Sequence, residues 1–99
     1  NVRQIQSNGS AFAAILESGS VVTWGYPGCG GDSSSVQEQL RNVRQIQATK
    51  YAFAAILESG SVVTWGNSGY GGDSSSVQEQ LRNVRQIQAT KYAFAAILE

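Results

Sequence analysis

The sequence contains no histidine and no methionine, one cysteine and one proline among its 99 residues. Histidine is the commonest general base and metal ligand at neutral pH, so its absence argues against enzyme chemistry. We therefore expect no catalytic residue, no cofactor and no bound metal. The single cysteine, Cys29, has no partner for an internal disulfide. Because no methionine is present, we also expect the chain to have been processed or taken from a longer array.

Neither charge nor hydrophobicity is concentrated in one part of the chain. Seven basic and seven acidic residues give a net charge of zero, whereas binding to phosphates requires a concentrated basic surface. No apolar run approaches the roughly 20 residues that span a bilayer. We expect neither nucleic acid nor a membrane as a partner. Hydrophobic residues nevertheless make up 41% of the chain, which is enough for a packed core.

The dominant feature of the sequence is a 41-residue repeat. The segment NVRQIQ begins at Asn1, Asn42 and Asn83, and the segments AFAAILE, SVVTWG and GGDSSSVQEQLR recur at the same spacing. Repeats at a fixed spacing of this length are typical of stacked or ring-like arrays. The chain is predicted to be one repeat domain, 1–99, made of repeat one (1–41), repeat two (42–82) and a partial repeat three (83–99).

The first two repeats differ at only seven positions, which fall in two short windows. Ser-Asn-Gly-Ser at 7–10 becomes Ala-Thr-Lys-Tyr at 48–51, and Tyr26, Pro27 and Cys29 become Asn, Ser and Tyr. In repeat one the Asn-Gly pair is a strong hairpin signal, because both residues tolerate positive φ. Repeats two and three have Thr-Lys there, so a different or longer turn is expected.

Each full repeat is predicted to fold as a three-stranded antiparallel meander followed by a short helix. The strands are VRQIQ, AFAAIL and VVTWG, and the fold class is mainly β, either propeller-blade-like or a stacked solenoid-like array. The segment AFAAIL is apolar on both faces, so we expect it to be central and covered on both sides. Packing between repeats is assigned to its large side chains, namely Phe12, Ile15, Leu16, Phe53, Ile56, Leu57, Phe94, Ile97 and Leu98.

The helix is predicted over SSVQEQLRNV, where Val36 and Leu40 lie four residues apart and share the face that packs on the sheet. The Ser-x-x-Glu spacing is that of a capping box. The Gly-Gly-Asp-Ser segment before the helix could alternatively bind an anion, but it lacks a lysine and its aspartate would repel phosphate. The expected helix caps are Asp32, Ser35, Glu38, Asp73, Ser76 and Glu79.

The stretch AFAAILESGSVVTWGNSGYGG, which begins at Ala52, resembles the repeat of the regulator of chromosome condensation family. The matching residues are Ala55, Leu57, Gly60, Val63, Trp65, Gly66, Asn67, Gly69, Tyr70 and Gly71. The resemblance implies a blade of a β-propeller. Family members exchange nucleotide on a small GTPase, bind chromatin or serve as recognition modules beside ubiquitin-ligase domains. Those activities depend on loops and insertions that this chain lacks, and its repeat is shorter, with SSSVQEQL where the family has a fourth strand.

Two functions remain open from the sequence. The first is a non-catalytic scaffold that self-assembles through repeat stacking into an oligomer, ring or filament, with copies of itself as the partner. The second is a binding module for a carbohydrate or a protein segment. Its aromatic loop would consist of Trp24, Tyr26, Trp65, Asn67 and Tyr70, although packing between repeats is the more ordinary explanation of the two tryptophans.

Overall fold

A computed structural model describes residues 1–98, which form eight strands and four short 3-10 helices. The mainly β class predicted from the sequence is confirmed. In chain order the elements are β1 (Val2–Ser7), β2 (Ala11–Leu16), β3 (Val21–Gly25), η1 (Pro27–Cys29), η2 (Ser34–Gln39), β4 (Val43–Ala48), β5 (Ala52–Leu57), β6 (Val62–Gly66), η3 (Ser68–Tyr70), η4 (Ser75–Gln80), β7 (Val84–Ala89) and β8 (Phe94–Leu98).

The strands form one antiparallel sheet per repeat, in the orders β1-β2-β3, β4-β5-β6 and β7-β8. The strands pair in the same register in each copy. In repeat two, for example, Phe53 pairs with Ala48 on one side and with Trp65 on the other. A register shift near the start of the first strand also recurs, between Val43 and Gln45 in repeat two. Repeats one and two are therefore complete meanders, as predicted, and the third sheet has two strands among the described residues.

The hairpin turn between the first two strands has the same length in each repeat, so it is not longer at Thr-Lys, but its backbone conformation does differ: Gly9 has a φ of +91°, whereas φ is not positive at the equivalent Lys50. A backbone hydrogen bond closes it at the same place in each copy, from Asn8 to Ala11 (3.2 Å), from Thr49 to Ala52 (3.0 Å) and from Thr90 to Ala93 (2.8 Å). In repeats one and three the side chain adds a second bond across the turn, because Asn8 Oδ1 accepts from the amide of Ala11 and Thr90 Oγ1 accepts from the amide of Ala93.

The helical segment is shorter and tighter than predicted. It is a six-residue 3-10 helix, and Ser35 and Glu38 lie inside it rather than at its start. The same correction applies to Ser76 and Glu79 in repeat two. The predicted capping box therefore does not define the start of either helix. A sequence of this length cannot sustain an α-helix alone, and packing on the sheet selects the tighter turn.

The core lies between the sheets. Ala13, Ile15 and Val21 of the first sheet pack with Phe53 and Trp65 of the second. On the opposite face of the second sheet, a separate cluster joins Ala54, Ile56 and Val62 to residues of the third sheet, including Val84 and Ile87. The second sheet is thus covered on both faces, as predicted for its AFAAIL strand.

Every helix in the described part of the chain is a 3-10 helix of three or six residues, so none is long and apolar enough to cross a membrane.

Candidate functional site

The junction between consecutive repeats is built from the same contacts each time. Where repeat two begins, the amide of Val43 donates to Gly19 O (2.9 Å) in the preceding hairpin, and Val84 donates to Gly60 O (2.9 Å) at the next junction. Arg3 donates from its guanidinium to the carbonyl of Val43, 40 residues further along the chain. Arg44 makes the corresponding bond to Val84 O at 3.2 Å. The junction is therefore a repeating unit of the molecule, like the sheet itself.

The aromatic part of the junction holds Trp65 in place. Its Nε1 donates to the carbonyl of Gly30 in the preceding repeat (3.1 Å), and its ring stacks on that of Phe53 with centroids 5.4 Å apart. Trp65 is buried, with its one donor satisfied. Of the two explanations offered for Trp65, packing between repeats is the one that the structure shows, and the ligand platform is wrong for this residue. Phe53 of the same repeat covers its ring, and Gly30 of the preceding repeat accepts its indole proton.

The same aromatic pair is open to solvent in repeat one. Phe12 and Trp24 stack with centroids 5.3 Å apart, but no repeat covers them among the described residues. Four side chains, Ile5, Phe12, Val22 and Trp24, are exposed by 53%, 43%, 47% and 45%. Their counterparts in repeat two, Ile46, Phe53, Val63 and Trp65, are exposed by 0%, 0%, 6% and 3%. We call the first set the head face.

The opposite end of the stack is the outer face of the third sheet, where Ile97 is exposed although its counterpart in repeat two, Ile56, is fully buried. Phe94 is half-buried against the cluster that joins the second and third sheets, and Leu98 is exposed on that same inner side. The predicted packing residues of repeat two are all buried or half-buried, as is Ile15 of repeat one, whereas Phe12, Ile97 and Leu98 are exposed.

The two windows that differ between repeats meet in space. In repeat one, Asn8 Nδ2 donates to Cys29 O at 2.7 Å. In repeat two, Thr49 Oγ1 donates to Tyr70 O at 2.7 Å, which preserves the connection despite both substitutions. Cys29 is a buried free thiol, and Tyr70 fills the same position with a ring. The seven differences therefore form one cluster per repeat, which sequence spacing did not reveal.

Tyr70 belongs to a row of tyrosines that crosses the second junction. Its ring lies 4.7 Å from that of Tyr51 and 5.6 Å from that of Tyr92. Asn67, another predicted ligand residue, uses its side chain to accept a hydrogen bond from the amide of Gly69 (2.8 Å) and so caps η3. Of the five predicted ligand residues, only Trp24 and the exposed Tyr26 combine an aromatic ring with open access to solvent.

A polar network joins each 3-10 helix to the third strand of its repeat. The Ser33 hydroxyl bonds with Thr23 Oγ1 (2.9 Å) and donates to Gln37 Oε1 (2.7 Å), while Gln37 Nε2 donates to Val21 O (2.8 Å). Repeat two has the same network, in which Gln78 donates to Val62 O at 2.9 Å. Sequence analysis did not identify Gln37 and Gln78 as important residues, because nothing in their spacing distinguishes them from the other glutamines.

Asp32 and Asp73 were predicted as caps, but the N-cap positions are Ser33 and Ser74, and each aspartate lies one residue earlier, where it accepts a backbone hydrogen bond from the first residue of the helix. Asp32 Oδ1 accepts from the amide of Ser34, and Asp73 Oδ1 from that of Ser75, both at 3.0 Å. The backbone bond, followed by one with the same serine's side chain, lowers the pKa of Asp32 from its ordinary value of 3.8, and the pKa of Asp73 is lowered in the same way. Hydrogen bonds to a carboxylate favour its charged form.

Within residues 1–98, no group of three or more His, Cys, Asp or Glu residues is placed to hold a metal ion. No protein-family profile matches the chain, and no curated protein sequence matches it. The candidate functional surfaces are therefore defined by geometry alone, and they are the two uncovered ends of the stack.

Proposed function

We propose that this protein is a non-catalytic scaffold that self-assembles by stacking the head face of one copy on the last repeat of another. The observation that carries the proposal is the contrast between identical side chains. Ile, Phe, Val and Trp at the head face are open to solvent in repeat one and almost fully buried at the equivalent positions of repeat two. In repeat two these side chains are covered by the preceding repeat. The head face would therefore be covered by the same kind of surface on another copy.

Burial of these side chains favours association. A large apolar side chain contributes about 1.5–3 kcal/mol when it moves from water into a packed interior. The head face has four such side chains close together, and exposed apolar patches rimmed by polar residues commonly mark interaction sites. Alanines in the facing strand allow close approach, as Ala11 and Ala13 do at the first junction.

The geometry of such an assembly is head-to-tail, because the two surfaces that meet are different. Heterologous contacts produce a ring if the rotation per copy closes and a filament if it does not. The resemblance to the regulator of chromosome condensation repeat, whose members form propellers of blades arranged in a ring, supports the closed form as part of this proposal.

The first prediction tests stacking with two lysine substitutions of equal charge. Val22→Lys places a charge on the head face, where desolvating an unpaired ammonium is costly. We expect this variant to remain monomeric at concentrations at which the unmodified protein assembles, as measured by light scattering and analytical ultracentrifugation. Tyr26→Lys is the matched control, because Tyr26 is exposed and its counterpart, Asn67, is exposed as well.

Two results would contradict the proposal. One is a folded, monomeric unmodified protein up to about millimolar concentration, where even weak specific contacts are populated. The other is equal assembly of Val22→Lys and the unmodified protein. If Tyr26→Lys disrupts assembly and Val22→Lys does not, the contact lies in the loop rather than on the head face.

A further inference from the structure

Three tyrosine rings lie in a row across the second junction. The ring centroid of Tyr70 lies 4.7 Å from that of Tyr51 and 5.6 Å from that of Tyr92. Both separations are within the range of roughly 4.5–7 Å that is usual for aromatic rings in contact. Tyr51 and Tyr70 belong to repeat two and Tyr92 belongs to repeat three, so the row connects two repeats through phenol side chains.

The backbone holds both sides of the contact between Tyr70 and Tyr92 in place. The carbonyl of Tyr70 accepts a hydrogen bond from Thr49 Oγ1 at 2.7 Å, which joins its loop to the hairpin of repeat two. That hairpin is joined to the next one by a bond from the amide of Lys50 to the carbonyl of Lys91 at 2.9 Å. Since Lys91 directly precedes Tyr92, the two phenols are carried on segments that are fastened to each other. The contact between them is therefore fixed by the junction itself.

Ring orientation and charge distinguish this contact from the other one in the row. The rings of Tyr70 and Tyr92 are inclined at 42°, whereas Tyr51 meets Tyr70 at 73°, close to edge-on. Two phenols that are bonded through ortho carbons are twisted, neither stacked nor perpendicular, so the first pair needs less reorientation to form such a bond. The ammonium of Lys50 also lies 5.3 Å from the ring centroid of Tyr51. A positive charge over a ring opposes removal of an electron from it.

From this geometry we propose that Tyr70 and Tyr92 are an oxidative cross-linking site, at which a dityrosine bond locks repeat two to repeat three. A one-electron oxidant, of the kind that a peroxidase or a photo-oxidised metal complex supplies, takes one electron from each phenol, and each phenol releases its proton. The two phenoxyl radicals form a carbon–carbon bond between ortho positions, and the ortho hydrogens move to the oxygens as both rings regain aromaticity. The chain loses two hydrogen atoms in total, and two equivalents of oxidant are reduced.

The first junction has no such pair. The positions equivalent to Tyr70 and Tyr92 are occupied there by Cys29 and Tyr51, and Cys29 is buried. The substitutions in the two variable windows, which leave the strands and their register unchanged, thus create the tyrosine pair at one junction and not at the other. The proposal does not rest on the proposed function, because both phenols belong to one chain.

The second prediction is that brief photo-oxidation with a ruthenium(III) complex joins these two side chains. The Val22→Lys protein is used, so that stacking between copies contributes no bonds. We expect a product of monomer size with dityrosine fluorescence, from which trypsin releases peptides 51–82 and 92–99 joined together, two hydrogen atoms lighter than their sum. In the purified cross-linked chain, hydrogen exchange in β7 and β8 should be at least about tenfold slower than in the oxidised chains without the bond, because a cross-link restricts the unfolded state.

Phenylalanine variants identify the pair, because phenylalanine keeps the ring but cannot form a phenoxyl radical. We expect Tyr70→Phe to lower the yield of the joined peptides at least about tenfold, since coupling depends on proximity and orientation. Tyr51→Phe is the matched variant within the row and should leave the yield within about twofold. Tyr26→Phe removes an exposed phenol outside the row and should have equally little effect.

The cross-linking site is refuted if the chain forms no dityrosine under conditions that couple free N-acetyltyrosine amide, or if Tyr51→Phe and Tyr70→Phe lower the yield equally. It is also refuted if Tyr26 is coupled as often as Tyr70, which would mean that exposure rather than geometry selects the phenols. Unchanged hydrogen exchange in the cross-linked chain would show that the bond does not lock the repeats. None of these outcomes affects head-to-tail stacking, and a failure of stacking leaves a bond within one chain unaffected, so the two proposals fail separately.

Discussion

Gly30 lies where the ring of Phe53, from the next repeat, packs against the loop that follows β3. Its φ of +105° belongs to the left-handed region, and a Cβ at this position would overlap the phenyl ring. The residue therefore meets two requirements at once, a backbone conformation and a close approach. Gly9 has a similar φ, +91°, but a Cβ there would meet nothing within 4 Å.

The third prediction compares alanine at these two glycines. Gly9→Ala should cost about 1–2 kcal/mol, the strain of a left-handed backbone conformation. Gly30→Ala should lose a further 1–3 kcal/mol or so, because the added methyl overpacks the junction. Denaturant titration of both variants measures the difference. Equal losses would show that the ring of Phe53 moves aside at no cost and that the junction is looser than described.

At the residue scale, the sequence identified which side chains are apolar but not which are covered. Phe12 and Phe53 have the same neighbours along the chain, yet one is exposed and the other fully buried. Burial here depends on whether another repeat lies against that face. Trp65 was assigned to a ligand platform for the same reason, since nothing local indicates that Gly30, 35 residues earlier, would accept its indole proton.

The 3-10 helices act as ties between the loop and the third strand. In the two six-residue helices, Asp32 and Asp73 bond to the amide of the first helical residue. Gln37 and Gln78 then donate from their side chains to carbonyls of the third strand. The edge of β3 is thus partly covered by a side chain, which limits its pairing with other strands.

The fourth prediction concerns the pH dependence of these caps. Because the folded-state pKa of each aspartate is lowered, their contribution to stability is complete above the ordinary value of 3.8 and is lost as the pH falls through the folded-state value. The double variant Asp32→Asn/Asp73→Asn keeps an oxygen acceptor at each cap. We expect it to be nearly as stable as the unmodified protein at neutral pH.

The measurement is the free energy of unfolding by denaturant from about pH 6 down to about pH 2, the range that spans carboxylate titration. The unmodified protein should lose more stability over the acidic part of this range than the double variant does. An identical slope for the two proteins would mean that the aspartates titrate alike in the folded and unfolded states.

At the element scale, the strands were predictable and the helices were not. Alternation and turn residues located all three strands of each full repeat, because strand periodicity is a local property. The Ser-x-x-Glu pattern suggested a capped α-helix, but packing of Val36 and Leu40 against the core selected a 3-10 helix instead. The turn at Thr49 was expected to differ from that at Asn8; it is closed by the same backbone hydrogen bond, but only the turn of repeat one uses a glycine with positive φ.

The described residues form a stack of three sheets, in which the middle sheet has a neighbour on each face. The two apolar clusters lie on opposite faces of this sheet, and they share no residue. Stability is therefore expected to concentrate at the junctions between repeats, as in other repeat proteins, where the contribution of a residue depends on its place in the array.

The fifth prediction tests this dependence with one substitution at two equivalent positions. Phe53→Ala should reduce the free energy of unfolding by about 3–5 kcal/mol, the usual cost of removing a buried aromatic ring. Phe12→Ala should cost about 1 kcal/mol or less, since its ring is half open to water. Both are best measured by denaturant titration in the Val22→Lys background, which prevents stacking from covering Phe12. Similar losses at the two positions would contradict the stacked arrangement.

The sequence by itself determined the repeat, the strands within it and the apolar segment at its centre, because each of these follows from local spacing and composition. Only the tertiary structure decided which copies of that segment are buried, that the two variable windows meet, and that Trp65 is held by Gly30. The physical reason is that identical residues differ only in their surroundings, and those surroundings come from neighbouring repeats about 40 residues away.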